Sequence, residues 1–334
     1  MPHSPSALAQ ALEHRLVPAV PVPHRADGRF DPAAQDAYAA WMARQEIAGV
    51  AVWVHTGRGL HLGEETAAAV LSSWRRALPG KLLIAGAGAR PRGRPSHPFA
   101  RLTPPADPQG LTTFVIEATV EMAVRARDLG ADAILVYPPV LLADLTDHER
   151  RFVEVHAALE QLGLPIIAFW LYEAAGGCRY SHRVLERILA LPHVAGIKVA
   201  TLDSRETFQD IASLMPPGKL LITGEDRFLG YSLRLGARSA LIGMGAVETR
   251  LQAALLTAHL RGEPDRFLRL SEACDRLGAV LFREPVDGYP RRMLHLLGAQ
   301  GVIPRDATFD PFGPDVPAQQ LDEVETVARD LQAP

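Results

Sequence analysis

An alternation limits what this chain can fold into more than any other feature. Eight short apolar runs, rich in Val, Ile and Leu, alternate with longer Ala-, Leu- and Arg-rich stretches at helical spacing. The runs predict strands over 16–22, 49–54, 81–85, 133–137, 166–170, 194–199, 220–223 and 239–242. The stretches between them predict helices over 32–45, 64–77, 112–129, 146–162, 182–190, 204–214 and 226–235. Strands that are apolar almost throughout belong to a parallel sheet covered by helices. Eight βα units in series predict an α/β fold, a closed (β/α)8 TIM barrel, with an open doubly wound sheet as the alternative.

Such a barrel needs roughly 250 residues, and the chain has 334, of which 48% are apolar. The expectation is therefore one barrel over 1–247 and a helical C-terminal extension over 248–334, with helices at 248–262, 264–282, 289–297 and 318–331. A Pro-, Arg- and Gly-rich stretch, 90–109, breaks the rhythm after the third strand and reads as an insertion on the C-terminal face of the barrel.

Charge narrows the function classes. The formal net charge is −3, so no basic field points to nucleic acid or to an anionic membrane. The first fifteen residues are polar and lack an apolar leader core, and no apolar run reaches membrane-spanning length. Two cysteines, Cys178 and Cys274, without metal-ligand spacing suit a reduced, cytoplasmic protein. The twelve histidines form no HExxH or other tight ligand spacing, no GxSxG elbow is present, and Gly86-Ala87-Gly88 lacks the GxGxxG order. Neither a metal nor a cofactor is expected.

Among 35 basic residues only three are lysines. Lys81 and Lys219 open apolar runs, which puts them at strand N-termini, the stability face of a barrel. Lys198 closes the run VAGIK and so belongs at the C-terminal mouth. An amine in apolar surroundings loses its proton more easily, and a neutral amine attacks a ketone to give an imine, an electron sink for breaking or making an adjacent C–C bond. The competing reading pairs Lys198 with a carboxylate such as Asp203 or Glu225.

Several segments, in order, resemble the dihydrodipicolinate synthase and N-acetylneuraminate lyase family of pyruvate-dependent barrel aldolases. GIKVATLDS is similar to the family's Schiff-base strand, and TGEDRFLGYSLRLGARSALIG to its seventh and eighth strands. LIAGAGA, GLPIIAFW and FREPVDGYPRRMLHLLG resemble the third strand, the fifth strand and a Glu-Pro-Asn-Pro segment with its helix. The resemblance runs from about Val17 to Leu297. It implies an imine at Lys198, substrate contacts at Gly224 and Ile242, and a homo-oligomer, dimer or tetramer.

The departures are specific. Where the family carries Gly-Thr-Thr-Gly-Glu or Gly-Ser-Thr-Gly-Glu to hold a keto-acid carboxylate, this chain has Val54-His55-Thr56-Gly57-Arg58. Thr56 and Gly57 keep their places, and backbone N–H groups serve whatever the side chain. Arg58 offers a charged fork or an exposed loop charge, and His55 a general acid or base near neutral pH or a structural histidine. The family's proton-relay tyrosine on the fifth strand is matched by Phe169, which moves no proton. Its substrate-binding arginine is matched by Ala174, which argues against dihydrodipicolinate synthase itself. Tyr172 and Tyr137 are candidate replacements for the relay.

The sequence therefore predicts a lyase, of aldolase or dehydratase type, acting on pyruvate or a related 2-keto acid through Lys198. His55, Thr56 and Gly57 would orient the substrate, and His55 or Tyr172 would move protons. The alternatives are a barrel that has lost turnover and acts as a small-molecule binder or partner subunit, and an imine enzyme for another carbonyl, such as an aldehyde.

Overall fold

The computed structural model describes residues 4–89 and 104–332. Most of the 90–109 insertion lies outside the described residues. Eight parallel strands form one sheet: β1 (Leu16–Pro18), β2 (Gly49–Val52), β3 (Leu82–Ala87), β4 (Ala133–Val136), β5 (Ile166–Leu171), β6 (Val194–Ala200), β7 (Leu220–Thr223) and β8 (Ser239–Ile242). Each pairs with its sequence neighbour from β2 to β8, and β1 returns to β8 with Val17 opposite Leu241. A parallel bridge between Ala19 and Ala51, with Val20 N–H donating to the Ala51 carbonyl, closes β1 onto β2. This is the (β/α)8 barrel that the alternation predicts.

After each strand comes its helix: α2 (Pro32–Ala43), α3 (Glu64–Ala77), α4 (Pro108–Asp128), α5 (His148–Ala157), α6 (His182–Leu189), α7 (Arg205–Ser213), α8 (Leu229–Arg234) and α9 (Thr249–Leu260). Strand residues alternate between two apolar layers. Ile197, Val199, Ala168 and Ile242 pack outward against the helices. Ile167, Phe169, Leu135, Ile222 and Leu241 fill the interior. The stretch 248–334 holds the eighth barrel helix, α9, and three more: α10 (Pro264–Leu281), α11 (Tyr289–Ala299) and α12 (Ala318–Gln332).

Four local differences from the sequence expectation have identifiable causes. The N-terminal stretch, read as merely polar, contains α1 (Pro5–Leu12), capped by the Ser4 hydroxyl on the Ala7 N–H. Its Leu8 and Leu12 are fully buried and stop the lower end of the barrel interior. α4 starts inside the predicted insertion, because Asp107 caps the Gly110 N–H and Pro108 has the preset φ of a first helical residue. The helix expected over 146–162 is α5 followed by a 3-10 turn, Glu160–Leu162, which Gly163 ends in a left-handed conformation at φ +67. α8 begins at Leu229 rather than 226, because the Asp226 carboxylate turns inward to accept the N–H groups of Gly243 and Met244.

Lys81 and Lys219 lie at the lower face. The Lys81 amine donates to the carbonyls of Ala43 and Gln45, and the Lys219 amine to those of Leu191 and Val194. Both bind backbone oxygens at strand entries. Cys178 and Cys274 are free thiols, both buried. Among the described residues no helix is long and apolar enough to cross a membrane.

Candidate active site

β6 places Lys198 at its C-terminal end, pointing inward between Phe169 of β5 and Ile222 of β7, its partners in register. The side chain can rise into the mouth because the next residue in its path is Gly224. A Cβ there would come within 2.6 Å of Lys198 Cε and 2.9 Å of the Val199 carbonyl. The amine sits 4.3 Å from the centroid of the Phe169 ring. No carboxylate oxygen among the described residues lies within 4.0 Å of Nζ. Burial therefore dominates and brings the Lys198 pKa down to about 8, while the nearby charges of Asp226 and then Glu225 partly oppose the fall.

A small cavity, open to solvent, lies above the amine. Its polar lining is His55, Thr56, Tyr172, Tyr289 and Asp226, and its apolar lining Phe169, Leu171, Ala200, Leu202 and Phe282, with Gly224 and Gly243. Asp226 is raised to about 6 by burial, against the two N–H groups it accepts and the Lys198 charge. Glu225 faces away and accepts the Leu202 N–H at 3.0 Å and the Thr201 N–H, which anchors the loop after β6; burial raises it to about 8.

The turn after β2 is a 3-10 turn, His55–Gly57. The Tyr289 hydroxyl lies 2.9 Å from Thr56 Oγ1 and 2.9 Å from His55 Nδ1. The Tyr289 ring stacks on Phe282 with centroids 4.8 Å apart and on His55 at 5.7 Å. The imidazole does not titrate near neutral pH as its residue type suggests. Burial first, then the positive charges of Arg58 and Lys198, push His55 down to about 3, so it is neutral at physiological pH.

Arg58 does not reach the cavity. Its left-handed backbone, φ +53, turns the side chain away, and its guanidinium is consumed by neighbours. Nη1 meets Asp287 Oδ1 at 2.6 Å, Nη2 meets the Asp287 carbonyl at 2.6 Å and Asp310 Oδ2 at 2.7 Å, and Nε meets the same oxygen at 3.1 Å. The group holds the turn after β2 to the C-terminal extension. Gly57 ends the turn, where a Cβ would come within 2.8 Å of the Val20 carbonyl.

Of the other sequence candidates, Tyr172 lines the cavity, its N–H held by the Ala200 carbonyl. Burial, then the carboxylates of Asp287 and Asp226, raise its pKa. Tyr137 lies below Phe169, with ring centroids 6.0 Å apart, and donates its hydroxyl to the Trp53 carbonyl at 2.9 Å; it is not part of the cavity wall. Ile242 packs outward, and its carbonyl accepts the Ala19 N–H. The structure thus brings Lys198, His55, Thr56, Phe169, Tyr172 and Gly224 together and leaves Arg58, Tyr137, Ile242 and Gly57 outside the cavity wall. Sequence reasoning missed Tyr289, Phe282 and Asp226 as parts of the wall. The signal for Asp226 was its place two residues after Gly224. Tyr289 lies 91 positions beyond Lys198, in the segment FREPVDGYPRRMLHLLG, which the sequence marked by its resemblance but not as part of the site.

A (β/α)8 barrel with a buried lysine near the C-terminal end of its sixth strand, in ion-pair contact with no carboxylate among the described residues, defines the class. The profile of the dihydrodipicolinate synthetase family matches residues 114–331, and the chain belongs to that family. It is 28% identical over 180 residues to a 4-hydroxy-tetrahydrodipicolinate synthase of Nitrobacter hamburgensis, which covers 54% of this chain and 59% of that relative. With the Bifidobacterium longum protein of the same name it is 25% identical over 330 residues, 97% of this chain and 96% of the other. Two solved structures share the fold. N-acetylneuraminate lyase from Mycoplasma synoviae has a TM-score of 0.72 at 19% identity, covering 96% of this chain and 97% of its own. Dihydrodipicolinate synthase from Oceanobacillus iheyensis has a TM-score of 0.77 at 16% identity, covering 98% of each.

Proposed function

We propose that the protein is a Schiff-base-forming lyase, of aldolase or dehydratase type, that takes pyruvate or a related 2-keto acid onto Lys198. The observation that carries this reading is the amine itself, buried, without a carboxylate partner, at the floor of a cavity on the barrel's C-terminal face. An amine whose pKa falls to about 8 is partly neutral at physiological pH, as attack on a ketone requires. Loss of water from the carbinolamine gives a protonated imine, which draws electrons from the bond one carbon away. The keto-acid carboxylate would lie over the first N–H groups of the His55–Gly57 turn, which have no partner within that turn, with the Thr56 hydroxyl beside them. Membership of the family, and relatives named as 4-hydroxy-tetrahydrodipicolinate synthases over up to 97% of the chain, support the same chemistry.

The test is reductive trapping. Incubation with pyruvate and borohydride, followed by peptide mass mapping, is expected to label Lys198 and neither Lys81 nor Lys219. Lys198→Met is expected to lose the label. Labelling at either of the other lysines would refute the assignment.

We also propose that the protein works in the cytoplasm as a homo-oligomer, a dimer or tetramer. Two unpaired thiols support the compartment, and Leu268 of α10, 64% exposed, is a candidate contact between copies. Light scattering at micromolar concentration reporting a monomer would contradict the oligomer.

A further inference from the structure

We infer that Tyr289, which the C-terminal extension delivers into the barrel mouth, carries the proton of the imine reaction, with His55 as the group that passes it out of the cavity. The inference rests on the imine reading of Lys198 and goes beyond it. Phe169 lies beside the amine, its ring centroid 4.3 Å away, and has no exchangeable proton. The Tyr289 hydroxyl, by contrast, is buried in the wall of the same cavity and bonded on both sides, to Thr56 Oγ1 and to His55 Nδ1, each at 2.9 Å.

A hydroxyl holds one hydrogen, so Tyr289 donates to only one of these neighbours at a time. The direction follows the tautomer of the imidazole. With hydrogen on Nδ1, His55 donates to Tyr289 and Tyr289 donates to Thr56. With hydrogen on Nε2, the Tyr289 hydroxyl turns from Thr56, to which it donates in the structure, and donates to Nδ1 instead. Because His55 is neutral, it always offers one donor and one acceptor, which is what a conducting link requires. The far nitrogen, Nε2, lies 3.8 Å from Asp287 Oδ1, an oxygen that also accepts from Arg58 and whose side chain is 33% exposed.

The C–H bond beside the protonated imine breaks, and its electron pair forms the enamine and neutralises the nitrogen. The proton goes to the Tyr289 oxygen as the Tyr289 hydrogen moves to Nδ1, and the Nε2 hydrogen leaves to a solvent water on the Asp287 side, since 3.8 Å is too long for a direct transfer to that carboxylate. In the return direction the same line protonates the enamine carbon. Tyr289 never has to exist as a free phenolate, a form its burial strongly disfavours.

Pyruvate alone serves as the probe. In D2O, its methyl protons exchange for deuterium only if the imine forms and a group then moves protons to and from that carbon. Proton NMR of pyruvate with the unaltered protein is expected to show exchange. Tyr289→Phe is expected to slow it by about 10²–10⁴-fold while borohydride still labels Lys198. His55→Gln keeps a hydrogen-bonding group beside Tyr289 but cannot hand a proton from one nitrogen to another. It too is expected to slow exchange while borohydride still labels Lys198, whereas replacing a merely structural histidine would leave exchange in step with labelling. Labelling with wild-type exchange in either variant overturns the inference and leaves the imine reading intact. No labelling of the unaltered protein overturns both.

Discussion

Lys198 and Arg58 are both buried cations on the upper face of the barrel, and they are held in opposite ways. Arg58 is bound by two carboxylates and a carbonyl, and Asp310 in turn is 4% exposed at its side chain. Removing the cation leaves that carboxylate buried without its partner, so Arg58→Met is expected to cost about 3–5 kcal/mol in urea unfolding. Arg58→Lys should recover little, since one ammonium cannot span both acids with the geometry of a fork. Lys198 lacks such a partner, and its charge destabilises the fold. Its folded pKa of about 8 lies below the ordinary 10.5, so the unfolded chain binds more protons between those values. That destabilisation is full below pH 8 and vanishes as pH rises through 10.5. Lys198→Met is therefore expected to stabilise the protein at pH 7, with the gain fading between pH 8 and 10.5. Urea titrations across that range check it; a gain independent of pH would mean that packing, not charge, is responsible. Both roles were half legible in the sequence. Position at a strand end singled out Lys198, but nothing near Arg58 in sequence announces Asp287 and Asp310, which lie more than two hundred residues away. His55 is the same lesson in electrostatics. Residue type gives a group that titrates near neutral pH, and burial beside two cations gives one that does not.

Among the elements, strands were the most readable, because inward and outward faces of a barrel strand are both apolar and the run itself marks the strand. β7 and β8 match the expected 220–223 and 239–242, and β6 extends one residue beyond 194–199. Ends were least readable where a side chain bonds across space, as at Asp226, or where a cap lies inside a loop-like stretch, as at Asp107. α1 was invisible for a different reason. Its two leucines are too few to make a periodic pattern, yet they fill the lower opening of the barrel. Leu12→Ala is expected to cost about 2–5 kcal/mol, measured by thermal or urea unfolding. A cost below about 0.5 kcal/mol, the range of surface substitutions, would show that α1 is not part of the interior core.

At the scale of the molecule, the site is assembled from both halves of the chain. The barrel supplies Lys198, Thr56 and His55, and the extension supplies Tyr289 and Phe282. The segment between α11 and α12 ties the two together. It pairs with β1's following loop through His24 and Phe309 and with the β2 turn through Arg58 and Asp310. Shortening the chain before Asp287 should therefore remove the site and not merely a peripheral helix pair, and a truncated protein that still takes up pyruvate at Lys198 would contradict that. The resemblance to pyruvate-dependent barrels pointed to Lys198 but not to Tyr289, which lines the same cavity; the position that carries a tyrosine in the family carries Phe169 here. The central claim, that Lys198 forms a covalent imine in this cavity, is tested most directly by a crystal structure of the protein soaked with pyruvate and reduced in place. The account predicts continuous density from Lys198 Nζ to C2 of the keto acid, with the carboxylate over the His55–Gly57 turn. Pyruvate bound without a covalent link, or linked at another lysine, would contradict it.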